Sequence, residues 1–239
     1  MKRNVLFISV HPDDETLGCG GTILKHKAKG DTINWLNITD VDNNHPFGFS
    51  PEFVMTRQLT IEKVKQTYEF SKFINLKFYT QLLDTKGLSS LMKEISEAIK
   101  EIQPDTLYIP NRSDVHSDHR ISFQAIYPCT KNYRYPFIKS ILMYETLSET
   151  EFSPALAENT FIPNTFVDIT DYIDKKIEIM KLYETEIMPD PLPRSVHAIK
   201  GLAAIRGSRI GVYIQKLLCH FIGGFDGKIT KNSFNLSFL

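Results

Sequence analysis

Through the first two-thirds of the chain, short apolar runs rich in β-branched residues alternate with stretches in which apolar side chains recur every three or four positions. Runs of the first kind read as strands, and the 3.6-residue period reads as one buried face of a helix. Strands are expected at 5–10, 33–39, 76–79, 106–109, 140–144 and 165–169, and helices at about 21–29, 52–70, 88–103 and 120–127. Alternation of the two element types is the mark of βαβ units. The expected fold class is therefore α/β, a mostly parallel, doubly wound sheet flanked by helices.

The last third changes character. Residues 171–186 pattern as a long amphipathic helix with Tyr172, Ile173, Ile177, Met180 and Tyr183 on one stripe, and Pro189, Pro191 and Pro193 end it. A second helical pattern spans 195–221, weakened by Gly201, Gly207 and Gly211. The reading is a single domain over 1–239 with a C-terminal helical extension from about 171. Nothing in it repeats or thins into a linker, and 223–239 carry no assignable pattern.

Of the 239 residues, 42% are hydrophobic and 23% charged, the balance of an ordinary folded protein. Lys+Arg and Asp+Glu stand at 28 each with no long basic run, which argues against nucleic acid as a partner. No apolar stretch reaches the roughly 18 residues that a membrane span needs, and the run at 5–10 is too short for a signal-peptide core. Cys19, Cys129 and Cys219 lack CxxC or CxxH spacing, so neither a disulfide framework nor a structural zinc knot is indicated. The expected compartment is the reducing cytoplasm.

Ligands of open parallel sheets bind beyond the carboxyl ends of the strands. His11-Pro12-Asp13-Asp14-Glu15 occupies such a place after the first strand. Three carboxylates beside a histidine repel one another unless a cation, protons or solvent compensate them, and a metal ion is the economical answer. At the start of a helical turn, His11 and Asp14 at i,i+3 share a side, while Asp13 is rotated by about 100° and is left free for acid–base work. A second cluster, Asp114 to Arg120, follows the fourth strand and can converge on the same mouth. Two histidines and a carboxylate are the ligand set of a catalytic zinc, which assigns His11, Asp14 and His119 to the metal. Asp13 is then the general base. His116 is placed to serve the oxyanion or the leaving nitrogen, with Asp118 keeping it charged and oriented. The reaction class is metal-assisted hydrolysis of an amide or ester.

The same segments carry a family resemblance. His11-Pro12-Asp13-Asp14-Glu15 followed by Leu17-Gly18-Cys19-Gly20-Gly21, with His116-Ser117-Asp118-His119-Arg120 roughly a hundred residues on, resembles the LmbE-like (PIG-L) zinc-dependent de-N-acetylases. The resemblance implies a Rossmann-like fold and one Zn2+ per chain on His11, Asp14 and His119. It also implies Asp13 as base and the His116–Asp118 pair at the oxyanion or leaving group. The implied substrate is a small N-acetylated amino sugar of the N-acetylglucosamine type. Weaker matches run through Arg57, Asp84, Tyr144-Glu145-Thr146, Pro193-Arg194-Ser195 and Arg206-Gly207, making Arg57, Asp84 and Arg206 candidate substrate contacts. The chain departs from the family pattern at Thr60 and around 218–221, so the substrate transfers least.

The alternatives are an amidase or esterase acting on another small metabolite, or a phosphoester hydrolase, which would need a second metal. Association into a homo-oligomer stays open. In Gly18-Cys19-Gly20-Gly21, Ile23 stands where a dinucleotide loop needs its third glycine, so close helix–sheet packing is expected instead. The loop at 42–50, with Phe47 and Phe49, should hang over the same mouth.

Overall fold

The structure is a computed structural model that describes residues 2–208 and 211–221. In chain order the elements are β1 (Asn4–Ser9), α1 (Asp14–Ala28), β2 (Thr32–Asp40), α2 (Pro51–Tyr68), β3 (Lys72–Tyr79), α3 (Leu88–Ile102), β4 (Thr106–Pro110) and α4 (Ser117–Ile126). They continue as β5 (Ser140–Tyr144), β6 (Thr165–Asp168), α5 (Ile173–Met180), α6 (Val196–Gly207) and β7 (Ile214–Phe221). One sheet orders the strands β3-β2-β1-β4-β5-β7-β6. The first five strands are parallel, and β7 runs antiparallel to both β5 and β6.

The period of two along the strands divides the core into layers. Val5 and Phe7 of β1 join Trp35, Tyr108 and the buried faces of α1, α2 and α5. Leu6 and Ile8 join Leu36, Ile38, Leu107 and Ile109 under α3 and α4. Helices thus cover both faces, as the near-continuous apolar strands require. The chain steps outward from β1 through β2 to β3 and then returns past β1 to β4 and β5. The connections leaving β1 and β4 therefore diverge and open a crevice at their carboxyl ends. No described helix is long and apolar enough to cross a membrane.

Three parts of the fold differ from the sequence expectation. Helix α1 begins at Asp14 rather than near 21. Gly18, Gly20 and Gly21 are poor helix formers, yet they sit inside the helix because of what packs on it. A Cβ at Gly18 would lie 2.2 Å from the Tyr144 ring, and one at Gly21 2.6 Å from Ile169. The helix expected at 171–186 stops at Met180. Its continuation winds in turns that bury Tyr183. The helix expected at 195–221 ends at Gly207, and 214–221 form β7. A Cβ at Gly207 would fall onto the Val212 carbonyl, so the chain reverses there and caps the edge of β5 that would otherwise expose unpaired backbone groups. The extension after 171 is thus part helix and part sheet. Residues 223–239 lie outside the described residues.

Candidate metal centre and active-site cleft

Two loops meet at the crevice. The first leaves β1 through His11 and turns into α1 at Asp13, whose φ of 146° is rarely held by a residue with a side chain. The surroundings hold that conformation. The Asp13 N–H donates to Glu15 Oε2 at 3.1 Å, and the Asp13 carbonyl accepts from Thr16 and Leu17 at 2.9 and 2.8 Å. Asp14 Oδ2 accepts the backbone N–H groups of Val10 at 3.0 Å and His11 at 2.8 Å, which fixes this carboxylate against the strand end. The second loop leaves β4 and delivers His116, Asp118 and His119 at the start of α4.

His119 Nε2 lies 3.3 Å from Asp14 Oδ2 and 3.3 Å from His11 Nδ1, and His11 Nδ1 lies 3.9 Å from Asp14 Oδ2. Tetrahedral zinc with bonds of about 2.0–2.1 Å separates its ligand atoms by about 3.3–3.4 Å, so two edges of this triangle match such an ion and the His11–Asp14 edge is longer by about half an ångström. The outer nitrogen of each imidazole is bonded to a carboxylate. His119 Nδ1 faces Asp114 Oδ2 at 2.9 Å, and His11 Nε2 faces Asp118 Oδ2 at 3.2 Å. A carboxylate only accepts, so each bond puts the proton on the outer nitrogen and leaves the inner one's lone pair aimed at the triangle. Burial opposes charge here, yet the charge of His119 holds the Asp14 carboxyl well below the carboxylate range, and Asp14 in turn raises His119.

A second group, His11, His116 and Asp118, also comes within ligand distance. Its His11 Nε2, Asp118 Oδ2 and His116 Nδ1 atoms are already engaged within the protein. Asp118 Oδ2 takes His11 and the Gln81 N–H at 2.6 Å, and His116 Nδ1 accepts the Asp118 N–H at 3.1 Å as the cap of α4. The expected His116–Asp118 pairing is thus made through the Asp118 backbone N–H, while the Asp118 carboxylate bonds His11 and reaches His116 only through its charge. With Nδ1 accepting, neutral His116 carries its proton on Nε2. Burial, then the neighbouring His11, lowers its pKa to about 4, so His116 is a neutral donor rather than a charged one.

Asp13 stands outside the ligand triangle in a cavity of about 190 Å³ that His11, Asp14 and His116 also line. Burial first, then Asp14 and Glu186, raise its carboxyl well above the usual range, while Arg194 pulls the other way. Arg194 Nη1 reaches Asp13 Oδ2 at 3.1 Å and Glu186 Oε2 at 2.6 Å, and its Nε donates to Ser148 Oγ at 2.8 Å.

The family model for GlcNAc-PI de-N-acetylases (PIG-L) matches residues 6–130, over half of the chain and both ligand-bearing loops. The chain belongs to this family. It is 24% identical over 200 residues to the diacetylchitobiose deacetylase of Thermococcus kodakarensis, covering 79% of this chain and 72% of that protein. To the Bacillus anthracis protein named Probable N-acetyl-alpha-D-glucosaminyl L-malate deacetylase 2 it is 21% identical, covering 77% of this chain and 82% of the other. The A40926 pseudoaglycone deacetylase Dbv21 superposes with a TM-score of 0.73 at 15% identity, over 94% of this chain and all 100% of that one, and so shares its fold.

Of the three candidate substrate contacts, Arg57 lines the cleft, with Nε 3.4 Å from Asp40 and Nη1 3.8 Å from Glu186. Asp84 and Arg206 are not among the residues that line it. Asp84 is exposed on the Leu83–Thr85 turn, and Arg206 pairs with Glu145 at 2.8 Å beside a separate, smaller cavity. Phe49 of the 42–50 loop lines the cleft and stacks on Phe53 at 5.2 Å, whereas Phe47 is exposed. The glycine turn of α1 serves close packing, and Cys19 is buried beneath it. The reading from sequence placed Asp114 in the second cluster without giving it a partner, and missed Glu149, Glu186 and Arg194. Only the Pro193-Arg194-Ser195 match pointed toward the last, because these residues reach the cleft through turns that no periodicity announces.

Proposed function

We propose that this chain is a zinc-dependent hydrolase that removes the acetyl group from an N-acetylated amino sugar. The observation that carries the reading is a buried, unligated carboxylate, Asp13, beside a three-residue ligand set in an open cleft. A closed structural site has no use for such a group. The metal, when bound, supplies Lewis acidity that activates water and polarises a carbonyl. Asp13 takes the proton of the attacking water, and its raised affinity for a proton suits that task. His116 Nε2–H donates to the oxygen that gains charge as the carbonyl carbon becomes tetrahedral. Asp13 then returns its proton to the leaving nitrogen, so acetate and free amine are the products. Arg57 donates to substrate hydroxyls, and the Phe49–Phe53 pair offers an apolar wall to the face of a sugar ring.

The named relatives support an acetamido sugar as the substrate. The two-metal phosphoesterase reading is disfavoured, because the second candidate group shares His11 with the first and its Asp118 Oδ2 already faces His11 and accepts from Gln81. Acetate release from N-acetylglucosaminides by zinc-loaded protein tests the proposal. Asp13→Asn should lower kcat by about 10²–10⁴-fold with metal content unchanged. Near-full activity in that variant would remove Asp13 as base, and no acetate from any acetamido sugar would refute the function.

A further inference from the structure

Among the described residues, the buried side-chain atoms without a hydrogen-bond partner include Thr146 Oγ1 and Glu149 Oε2, which sit on one turn, and both residues line the cleft. Buried polar groups in folded proteins are nearly always paired, so orphans gathered on one wall mark where a ligand supplies the partner. Glu149 is the most informative: burial raises its carboxyl to about 7, a donor set against Oε2 would hold it ionised, and as a carboxylate it only accepts.

Its placement is rigid. The turn that carries it is closed by Thr150 N–H to the Thr146 carbonyl and Thr146 N–H to Thr150 Oγ1, each 2.9 Å. Thr150 Oγ1 donates onward to Asp114 Oδ1 at 2.7 Å, and the Glu149 carbonyl accepts from the Val115 N–H at 3.1 Å. Asp114 is the residue that orients His119, so Glu149 is tied to the ligand loop itself. Arg194 Nη2 stands 3.7 Å from Glu149 Oε1, which leaves Oε2 for something else. The residue is only 8% exposed, so bulk water does not readily satisfy that oxygen.

We propose that Glu149 is a substrate-recognition residue whose Oε2 accepts an N–H or O–H of the substrate next to the amide that is cut. The inference rests on the deacetylase reading. In a 2-acetamido sugar two groups meet the requirement, the amide N–H and the hydroxyl on the adjacent ring carbon.

The test compares three substrates: a methyl N-acetylglucosaminide, its 3-deoxy analogue, which lacks the hydroxyl, and its 2-O-acetyl ester, which lacks the N–H. In the wild type, the analogue without the accepted donor should lose about 10–100-fold in kcat/KM relative to the parent, after the intrinsic reactivity of the ester is cancelled by the variant-to-wild-type ratio. Glu149→Ala and the similarly shaped Glu149→Met should abolish that discrimination, for one analogue only, and thereby name the donor. Glu149→Gln, which keeps an accepting oxygen, should restore it. Equal metal content shows that each variant is folded. Discrimination unchanged in all three variants would overturn the Glu149 assignment and leave the deacetylase standing, whereas no turnover by the wild type would overturn both.

Discussion

Replacing Asp114 by Asn tests the metal centre through a tautomer. The Asp114 side chain is fully buried and divides its two oxygens: Oδ1 accepts from Thr150 Oγ1 at 2.7 Å and Asn111 Nδ2 at 3.0 Å, while Oδ2 accepts from His119 Nδ1 at 2.9 Å. An Asn side chain can keep its oxygen toward the two donors only by turning its NH2 toward His119. That NH2 needs a bare Nδ1, which moves the imidazole proton to Nε2, the nitrogen aimed at Asp14 and His11. The opposite rotamer preserves the ligand tautomer but sets NH2 against two donors, at about 1 kcal/mol for each lost hydrogen bond. Either route weakens the centre, and losses of this kind typically lower metal affinity 10–100-fold, or about 1.4–2.7 kcal/mol. Zinc affinity by competition with a chromophoric chelator gives the magnitude, and nitrogen NMR of the imidazole gives the tautomer. An Asp114→Asn protein that binds zinc within twofold of the wild type, with His119 still protonated at Nδ1, would refute this account.

Two further outcomes follow from the packing around α1. Burial pushes the Glu15 carboxyl up to about 7 against an ordinary 4.5, even though Thr16 and Tyr183 donate hydrogen bonds to it. The folded state therefore holds this proton more tightly than the unfolded chain does. The contribution is fully present below pH 4.5, is lost as pH rises through about 7, and amounts to about 3 kcal/mol at most. Urea unfolding of metal-free protein from pH 4 to 8 should show the wild type losing stability relative to Glu15→Gln across that window, and a pH-independent difference would contradict the burial argument. Gly18→Ala would drive a methyl to 2.2 Å from the Tyr144 ring and should cost about 1–3 kcal/mol or more, read as a lowered Tm. Trimming the ring with Tyr144→Leu in the same background should recover part of the loss. A Gly18→Ala protein as stable as the wild type would show that α1 does not need the close approach.

The strand–helix alternation and the two clusters after β1 and β4 were legible because both are local signals. A fully buried strand is a continuous apolar run, and ligands close together in sequence are already brought near one another by the chain. His11, Asp14 and His119 needed only the rule that loops at strand carboxyl ends meet at a switch of strand order. Where the reading failed, a distant partner outweighed a local propensity. Three glycines obscured the start of α1 because their role lies in Tyr144 and Ile169, and 214–221 became a strand because β5 had an open edge. Asp118 could not be assigned to His11 from spacing alone, since 107 residues separate them.

The amino-acid order by itself pointed to the fold class and to the three residues of the candidate ligand triad, because apolar periodicity and clustered donors act within a few residues. The tertiary structure alone decided the surroundings of that triad: which carboxylate bonds which imidazole, that burial lowers the pKa of His116, and that Arg194 and Glu149 line the cleft. Those properties depend on side chains up to 181 residues apart sharing a buried, low-dielectric space, where hydrogen-bond direction and desolvation fix proton positions that no local pattern encodes.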